Sequence, residues 1–411
     1  MKQRLFLALL SLVGLTIVSF GAGYATYPLF HQVNDFRPAA EADASGAESV
    51  SGDDPLDLNI YWQVRHLLER DYYGDAPTEQ EQVYASVRGL VESYNDPYTY
   101  FVEPQPRELE RDQLRGSFGG IGAYIETTEA GFFLQPMPGQ PAIQAGIAGG
   151  DQLLRVDETP ITPEMTSDEV IALVRGPVDT DVRLRVRRLP AEGDGPAEEL
   201  DFTITRAIIE TPSVAWELRE DAQGDLIGVI ALSIFNERSA EEVRAATEDL
   251  QAQGATRFVL DVRGNPGGLV TAAVEIADMW LEEGDILIEK RADGSRSAYT
   301  AEAGDIIDGA PLVVVVDGAS ASASEIVAGA LQDHGRARLV GERTFGKGSV
   351  QLIHELTDQS SLHVTNAEWF TPNGSALTGV GLTPDREIGE GEDPIAVAIE
   401  TVAAVALADD E

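Results

Sequence analysis

Leu312-Val313-Val314-Val315-Val316-Asp317-Gly318-Ala319-Ser320-Ala321-Ser322-Ala323-Ser324-Glu325 is the stretch that decides the fold. Its apolar, β-branched start predicts a strand, and residues 324–331 then carry a helical pattern. The small residues between them allow a tight strand-to-helix turn. The same order recurs upstream. Residues 226–230 and 257–262 read as strands, and residues 240–253 and 270–281 as helices. Such alternation predicts an α/β domain with a largely parallel sheet over 207–390, with sites in loops at the carboxyl ends of strands.

Outward from this domain the texture changes. Residues 116–206 read as a compact, β-rich module of strands near 123–125, 131–135, 150–156 and 181–187, with helices at 141–146 and 166–174. Residues 56–115 read as a small helical region, with apolar periodicity at 58–70 and 79–94 and a break at Asn95-Asp96-Pro97. Residues 31–55, rich in Ala, Ser, Gly and acidic residues, read as a linker. Residues 391–411 read as a helical tail. At the N-terminus, Lys2 and Arg4 precede an uncharged run. From Leu5 to Ala25 it is long enough to span a bilayer, which takes about 20 residues. The basic flank places the body of the protein outside the cytoplasm. An uncleaved anchor is the reading preferred over a signal peptide cut near Gly23 and Ala25.

Bulk composition narrows the chemistry. The 411 residues carry a net charge of −41, which argues against nucleic acid and anionic lipid as partners. There is no cysteine, which excludes disulfides, thiolate zinc sites and a cysteine nucleophile. The five histidines show no metal-ligand spacing, and all are read as structural or exposed. His334 alone is close enough in sequence to Ser322 to compete as a base.

Three segments could carry chemistry. Ser320, Ser322 and Ser324 lie where a helix N-terminus stabilises a developing oxyanion, although serine there is more often only a cap. Local chemistry does not choose among them. Lys347, between Gly346 and Gly348, stands among small and apolar neighbours; enclosed there, its amine would lose its proton more readily and could act as a base. The glycine spacing of a phosphate loop is missing before it. Asp261-Val262-Arg263-Gly264-Asn265-Pro266-Gly267-Gly268 makes a fixed backbone turn at a strand end.

Together these segments resemble the S41 C-terminal processing (tail-specific) peptidases. The likeness covers Ser-Ala-Ser-Ala-Ser-Glu-Ile at 320–326, Thr-Phe-Gly-Lys-Gly-Ser-Val-Gln at 344–351 and the turn at 261–268. It extends to Thr371-Pro372-Asn373-Gly374, Gly381-Leu382-Thr383-Pro384-Asp385, Asn95-Asp96-Pro97-Tyr98-Thr99 and Phe118-Gly119-Gly120-Ile121-Gly122. The resemblance implies an α/β core of crotonase/ClpP-type ββα architecture with an inserted PDZ domain, and a serine endopeptidase without a cofactor. It implies Ser322 as nucleophile, Lys347 as general base and Gln351 as holder of the lysine amine. The oxyanion donors carry over as the amides of Ala323 and Gly268, with Gly267 a close rival. The PDZ groove, at Gly120, Ile121 and Gly122 beside helix 166–174, would capture unstructured, apolar substrate C-termini. Arg175 aligns with an arginine that in some relatives couples docking to activation. A homodimer is left open. The rival readings are a membrane-anchored PDZ adaptor with an inactive protease fold, and an acyl-handling enzyme of crotonase-like architecture.

Overall fold

A computed structural model describes residues 58–409, apart from 191–195, 303 and 390. The segment read as an anchor and the linker after it lie outside the described residues. The chain divides into two units, ending and beginning at Asn95 and Asp96.

In the first unit, helices Asn59–Asp71 and Glu79–Glu92 follow the predicted apolar periodicity. Thr78 and Glu81 form a reciprocal capping box that starts the second helix.

The second unit holds several sheets. The strand segments are β1 (Tyr100–Val102), β2 (Ser117–Gly120), β3 (Ala123–Thr128), β4 (Gly131–Pro136), β5 (Asp151–Val156), β6 (Thr159–Pro160), β7 (Asp181–Arg188), β8 (Glu198–Thr205) and β9 (Ala207–Glu210). They continue with β10 (Val214–Glu220), β11 (Leu226–Leu232), β12 (Arg257–Asp261), β13 (Asp285–Arg291), β14 (Arg296–Thr300) and β15 (Leu312–Val316). The last are β16 (Ala337–Gly341), β17 (Ser349–Glu355), β18 (Ser361–Phe370) and β19 (Arg386–Glu387).

The main sheet runs β10-β11-β12-β15-β16-β19. All its pairs are parallel except β10 with β11. Helices Ser239–Ala252, Val270–Asp278 and Ala323–Asp333 cover one face, with Phe235, Leu260, Val314 and Ile326 in a shared core. Helix Pro394–Asp409 covers the other, through Val397, Ala398 and Val402 against Val259, Val313 and Val315. Alternate residues of β12 and β15 thus enter different cores, which is why these strands read as unbroken apolar runs.

A second, antiparallel sheet, β1-β18-β13-β14 with β17 on β18, does not follow from the sequence reading. Every residue of β14 is exposed, and β17 is exposed from Leu352 to Glu355. These strands therefore lack the two-sided apolar pattern that marks the others. Strand β1 and helix Pro104–Arg115, read as the end of the helical region, belong to the larger unit. Tyr100, Phe101 and Val102 extend the second sheet by pairing with His363, Leu362 and Ser361.

Residues 117–210 form the PDZ-like module. Its sheet runs β3-β4-β5-β7-β8, with β6 on β5, and closes over Phe132, Leu134, Leu153, Val170 and Val186. Strands β2 and β9 pair separately.

Candidate active site

Loops 233–238, 262–269, 317–322 and 342–348 leave the carboxyl ends of β11, β12, β15 and β16 along one edge of the parallel sheet. This is the edge where α/β sheets build sites. Side-chain and backbone hydrogen bonds stitch the loops together. Asn265 accepts the Ala321 amide on its carbonyl at 3.0 Å and donates from Nδ2 to the Leu232 carbonyl at 2.9 Å. Asp317 Oδ1 accepts the amides of Gly264 and Ala319, each at 3.0 Å, and that of Ser320 at 2.9 Å. Phe345 donates its amide to the Ser320 carbonyl at 3.0 Å.

Ser322 stands at the head of helix Ala323–Asp333 with φ 55° and ψ −113°. A residue with a β-carbon pays roughly 1–3 kcal/mol there, and stays only where its surroundings over-determine it. Glu325 Oε2 supplies part of that constraint by accepting the Ser322 amide at 2.9 Å. The neighbouring serines are committed elsewhere. Ser320 donates its hydroxyl to the Val262 carbonyl at 2.8 Å, and Ser324 to the Asn265 carbonyl at 2.9 Å. Both are fully buried, whereas Ser322 is half-buried.

The glycine turn lies directly against this serine. A β-carbon on Gly267 would stand 2.8 Å from Ser322 Cβ and 3.0 Å from the Ala323 nitrogen. Both glycines have positive φ, 106° at Gly267 and 139° at Gly268. The two amides differ, however. Gly267 donates to Asn265 Oδ1 at 2.9 Å, so its N–H is not available as an oxyanion donor. The amides of Gly268 and Ala323 donate to no acceptor among the described residues. Gly268 is exposed, and the helix leaves its first N–H groups unpaired.

Lys347 is half-buried, and its Nζ donates to Gln351 Oε1 at 2.9 Å. Gln351 Nε2 in turn donates to the Tyr98 carbonyl, which points the amide oxygen at the lysine. A register shift between Val350 and Gln351 interrupts the ladder with β18 at this point, the kind of irregularity that re-aims a side chain. Nζ also lies 5.5 Å from the centre of the Tyr98 ring. Trp369 holds the lysine backbone, with Nε1 donating to the Lys347 carbonyl at 3.1 Å. Burial pushes the Lys347 amine below the usual lysine range, and Glu110 and Glu325 partly offset that shift. No carboxylate reaches ion-pair distance of Nζ among the described residues.

Apart from His334, which follows helix Ala323–Asp333, the remaining candidates lie in the PDZ-like module. Gly120, Ile121 and Gly122 link β2 to β3, and the carbonyls of Ile121 and Gly122 accept the amides of Ala142 (2.7 Å) and Met137 (2.9 Å). Strand β3 pairs only with β4, so its other edge is open beside helix Ser167–Val174. Ile125 and Leu173 are partly buried against the core of the module. Arg175 ends that helix and turns away, its Nη1 3.3 Å from Asp112 Oδ2 and its guanidinium 3.7 Å from the Phe118 ring centre. His334 has Nε2 2.7 Å from the Asp285 carbonyl oxygen, a structural contact.

The sequence reading quoted Glu325, Asn265, Asp317 and Tyr98 within motifs but gave none of them a role. A signal existed for Glu325, because Ser322 and Glu325 have capping-box spacing. For Asn265 and Asp317 it was weaker: side-chain acceptors next to small turn residues. Nothing local indicated what Tyr98 holds, because its partner lies 253 positions away.

Residues 226–388 match the family model for peptidase family S41, and residues 132–188 that for a PDZ domain. The carboxyl-terminal-processing protease of Synechocystis sp. is 36% identical over 337 residues, which is 81% of this chain and 77% of that protein. The carboxy-terminal processing protease CtpA of Bacillus subtilis is 33% identical, over 82% of this chain and 70% of its own length. Among solved structures, a photosystem II D1 C-terminal processing protease is 30% identical with a TM-score of 0.46, covering 82% of this chain and 87% of that one.

Proposed function

Because this chain belongs to the S41 peptidase family, we propose that its serine peptidase chemistry runs on a Ser322–Lys347 dyad fed by its PDZ domain. The chain is a C-terminal processing serine protease, a hydrolase of peptide bonds. The observation that carries the dyad is the setting of Lys347. Its amine is half-buried, held by a neutral amide and pushed toward its uncharged form. That is what a base needs and what a structural ion-pair lysine lacks.

In the proposed reaction, neutral Lys347 Nζ takes the proton from Ser322 Oγ, which attacks the scissile carbonyl carbon. The amides of Ala323 and Gly268 meet the oxyanion. The tetrahedral intermediate collapses, and the leaving amine takes the proton back from Lys347. Water, losing a proton to the same lysine, then attacks the acyl-enzyme, and Ser322 Oγ leaves and takes that proton back from Lys347. Gln351 keeps the amine aimed through this cycle. Loss of turnover in Ser322→Ala and in Lys347→Ala, with His334→Ala active, is the expected outcome. Full activity in either of the first two overturns the dyad. An adaptor with an inactive protease fold would have no need of these groups together.

The choice of Gly268 over Gly267 is open to a direct test. A β-carbon on Gly268 would come 2.0 Å from the Phe235 carbonyl oxygen, so Gly268→Ala must displace this turn. Loss of one oxyanion donor lowers kcat by about 10²–10³-fold. Steady-state kinetics should show that loss with KM little changed.

For substrate capture, a peptide C-terminus would add a strand to the open edge of β3, with its carboxylate at the loop of Gly120, Ile121 and Gly122. Substrates ending in a free, apolar C-terminus should therefore have a KM about 10- to 100-fold lower than the same peptides amidated, since one charge-assisted contact is worth about 1.5–3 kcal/mol. Equal KM for the two forms would remove this part of the reading. The basic flank and apolar run at residues 2–25 support export and tethering. No described helix is long and apolar enough to cross a membrane, and that run lies outside the described residues.

A further inference from the structure

Glu325 is fully buried on the first turn of helix Ala323–Asp333, and the proposed chemistry gives it no task. Its two oxygens accept four hydrogen bonds. Oε1 takes the Thr344 hydroxyl at 2.6 Å and the Gly346 amide at 2.7 Å. Oε2 takes the amides of Ser322 and Lys347, each at 2.9 Å. Capping the helix requires only the Ser322 bond. The other donors stand 19, 21 and 22 positions along the chain, in the loop after β16. That loop is tied onward as well. Thr344 Oγ1 accepts the Leu382 amide at 2.7 Å, and the Thr344 amide donates to the Leu382 carbonyl at 3.1 Å.

A carboxylate is the side chain that suits this place, because every group facing it is a donor. It offers two oxygens with about four acceptor sites and no hydrogen of its own. Buried bonds to such a group are strong, and losing the acceptor leaves buried donors unsatisfied.

We propose that Glu325 is a positioning residue that fixes the strained backbone of Ser322 and the loop carrying Lys347 to one anchor, so that nucleophile and base share a single frame. The inference rests on the Ser322–Lys347 reading. Glu325 touches no reacting atom; it acts through the two residues that do. The arrangement also explains how a strained conformation is kept at Ser322. The carboxylate that holds its amide is itself locked by three bonds from a second loop.

The test compares Glu325→Gln and Glu325→Ala with the full chain. Glutamine keeps the shape, so it carries the test should the alanine variant fail to fold. In either orientation its NH₂ group replaces an oxygen and faces two donors. The readouts are melting temperature, kcat, KM, the pH profile of kcat/KM, and the rate at which a fluorophosphonate phosphonylates Ser322, its phosphorus bonding to Oγ as fluoride leaves. Glu325→Gln should lower kcat by about 10²-fold, the scale of a 1 Å misplacement. KM should stay within about threefold, and phosphonylation should slow in parallel. The midpoint of the pH profile should also move down. Lys347 would lose one of two carboxylates that favour its charged form, keeping Glu110, while Gln351 and the Tyr98 ring are neutral. A general weakening of the fold would not move that midpoint. A folded Glu325→Gln with parental kcat and midpoint overturns the proposal, as does a kcat loss that only tracks the unfolded fraction. The underlying dyad fails by a different result, an active Ser322→Ala. An inactive Ser322→Ala beside a fully active Glu325→Gln sinks the anchor alone.

Discussion

Ser322→Ala should lower peptide turnover by about 10⁶-fold, the loss typical of removing a serine nucleophile whose partners remain. Peptide binding should persist, because the substitution deletes one oxygen and keeps the β-carbon. The measurement is kcat on a peptide with an apolar, unstructured C-terminus, beside Ser320→Ala and Ser324→Ala as comparators. Those two serines donate hydroxyl hydrogens to the Val262 and Asn265 carbonyls inside the core. Their loss should cost about 1 kcal/mol of stability each, with a modest effect on turnover. The pattern expected is one inactive stable variant and two active, less stable ones. A reversed pattern, with Ser320→Ala or Ser324→Ala inactive and folded, would move the nucleophile.

That contrast marks where sequence reading stops. Three serines spaced two apart in a small-residue turn are equivalent by composition, and only family resemblance separated them. Hydroxyl partners separate them physically, since two face carbonyls of the neighbouring loop and one stands at the head of the helix in a strained backbone. The parallel sheet was legible because β12 and β15 are buried on both faces and read as unbroken apolar runs. The antiparallel sheet was not, because β14 and most of β17 are exposed. Glycine turns were legible as turns, but the donor role of each amide was not. Gly267 and Gly268 are adjacent and both have positive φ, yet only Gly267 is spent on Asn265. The Asn265 and Glu325 contacts depend on segments brought together by the sheet edge, and no local pattern encodes that meeting.

Lys347 gives the second large effect, and it can be read through pH as well as through mutation. The reacting form of the amine is neutral, so kcat/KM should rise with pH and level off once the amine has lost its proton. Burial places that midpoint below the usual lysine range, with Glu110 and Glu325 holding it back. Lys347→Arg keeps a positive charge but cannot give up its proton near neutrality. It should therefore be as inactive as Lys347→Ala, down by at least about 10⁴-fold, at every pH tested. An arginine variant that retained turnover would show that charge, not proton transfer, is what the site requires. The same burial has a consequence for stability. With its pKa depressed in the folded state, Lys347 binds less proton there than in the unfolded chain. The destabilisation is complete below the folded pKa, and stability recovers as pH rises toward the ordinary lysine value. Lys347→Met should accordingly be inactive and melt at a higher temperature at neutral pH, with the difference narrowing at high pH. Thermal melts across that range decide it: a methionine variant that melts lower at neutral pH would mean that the contacts of Lys347 outweigh its desolvation, and the case for a neutral amine there would lose its physical basis.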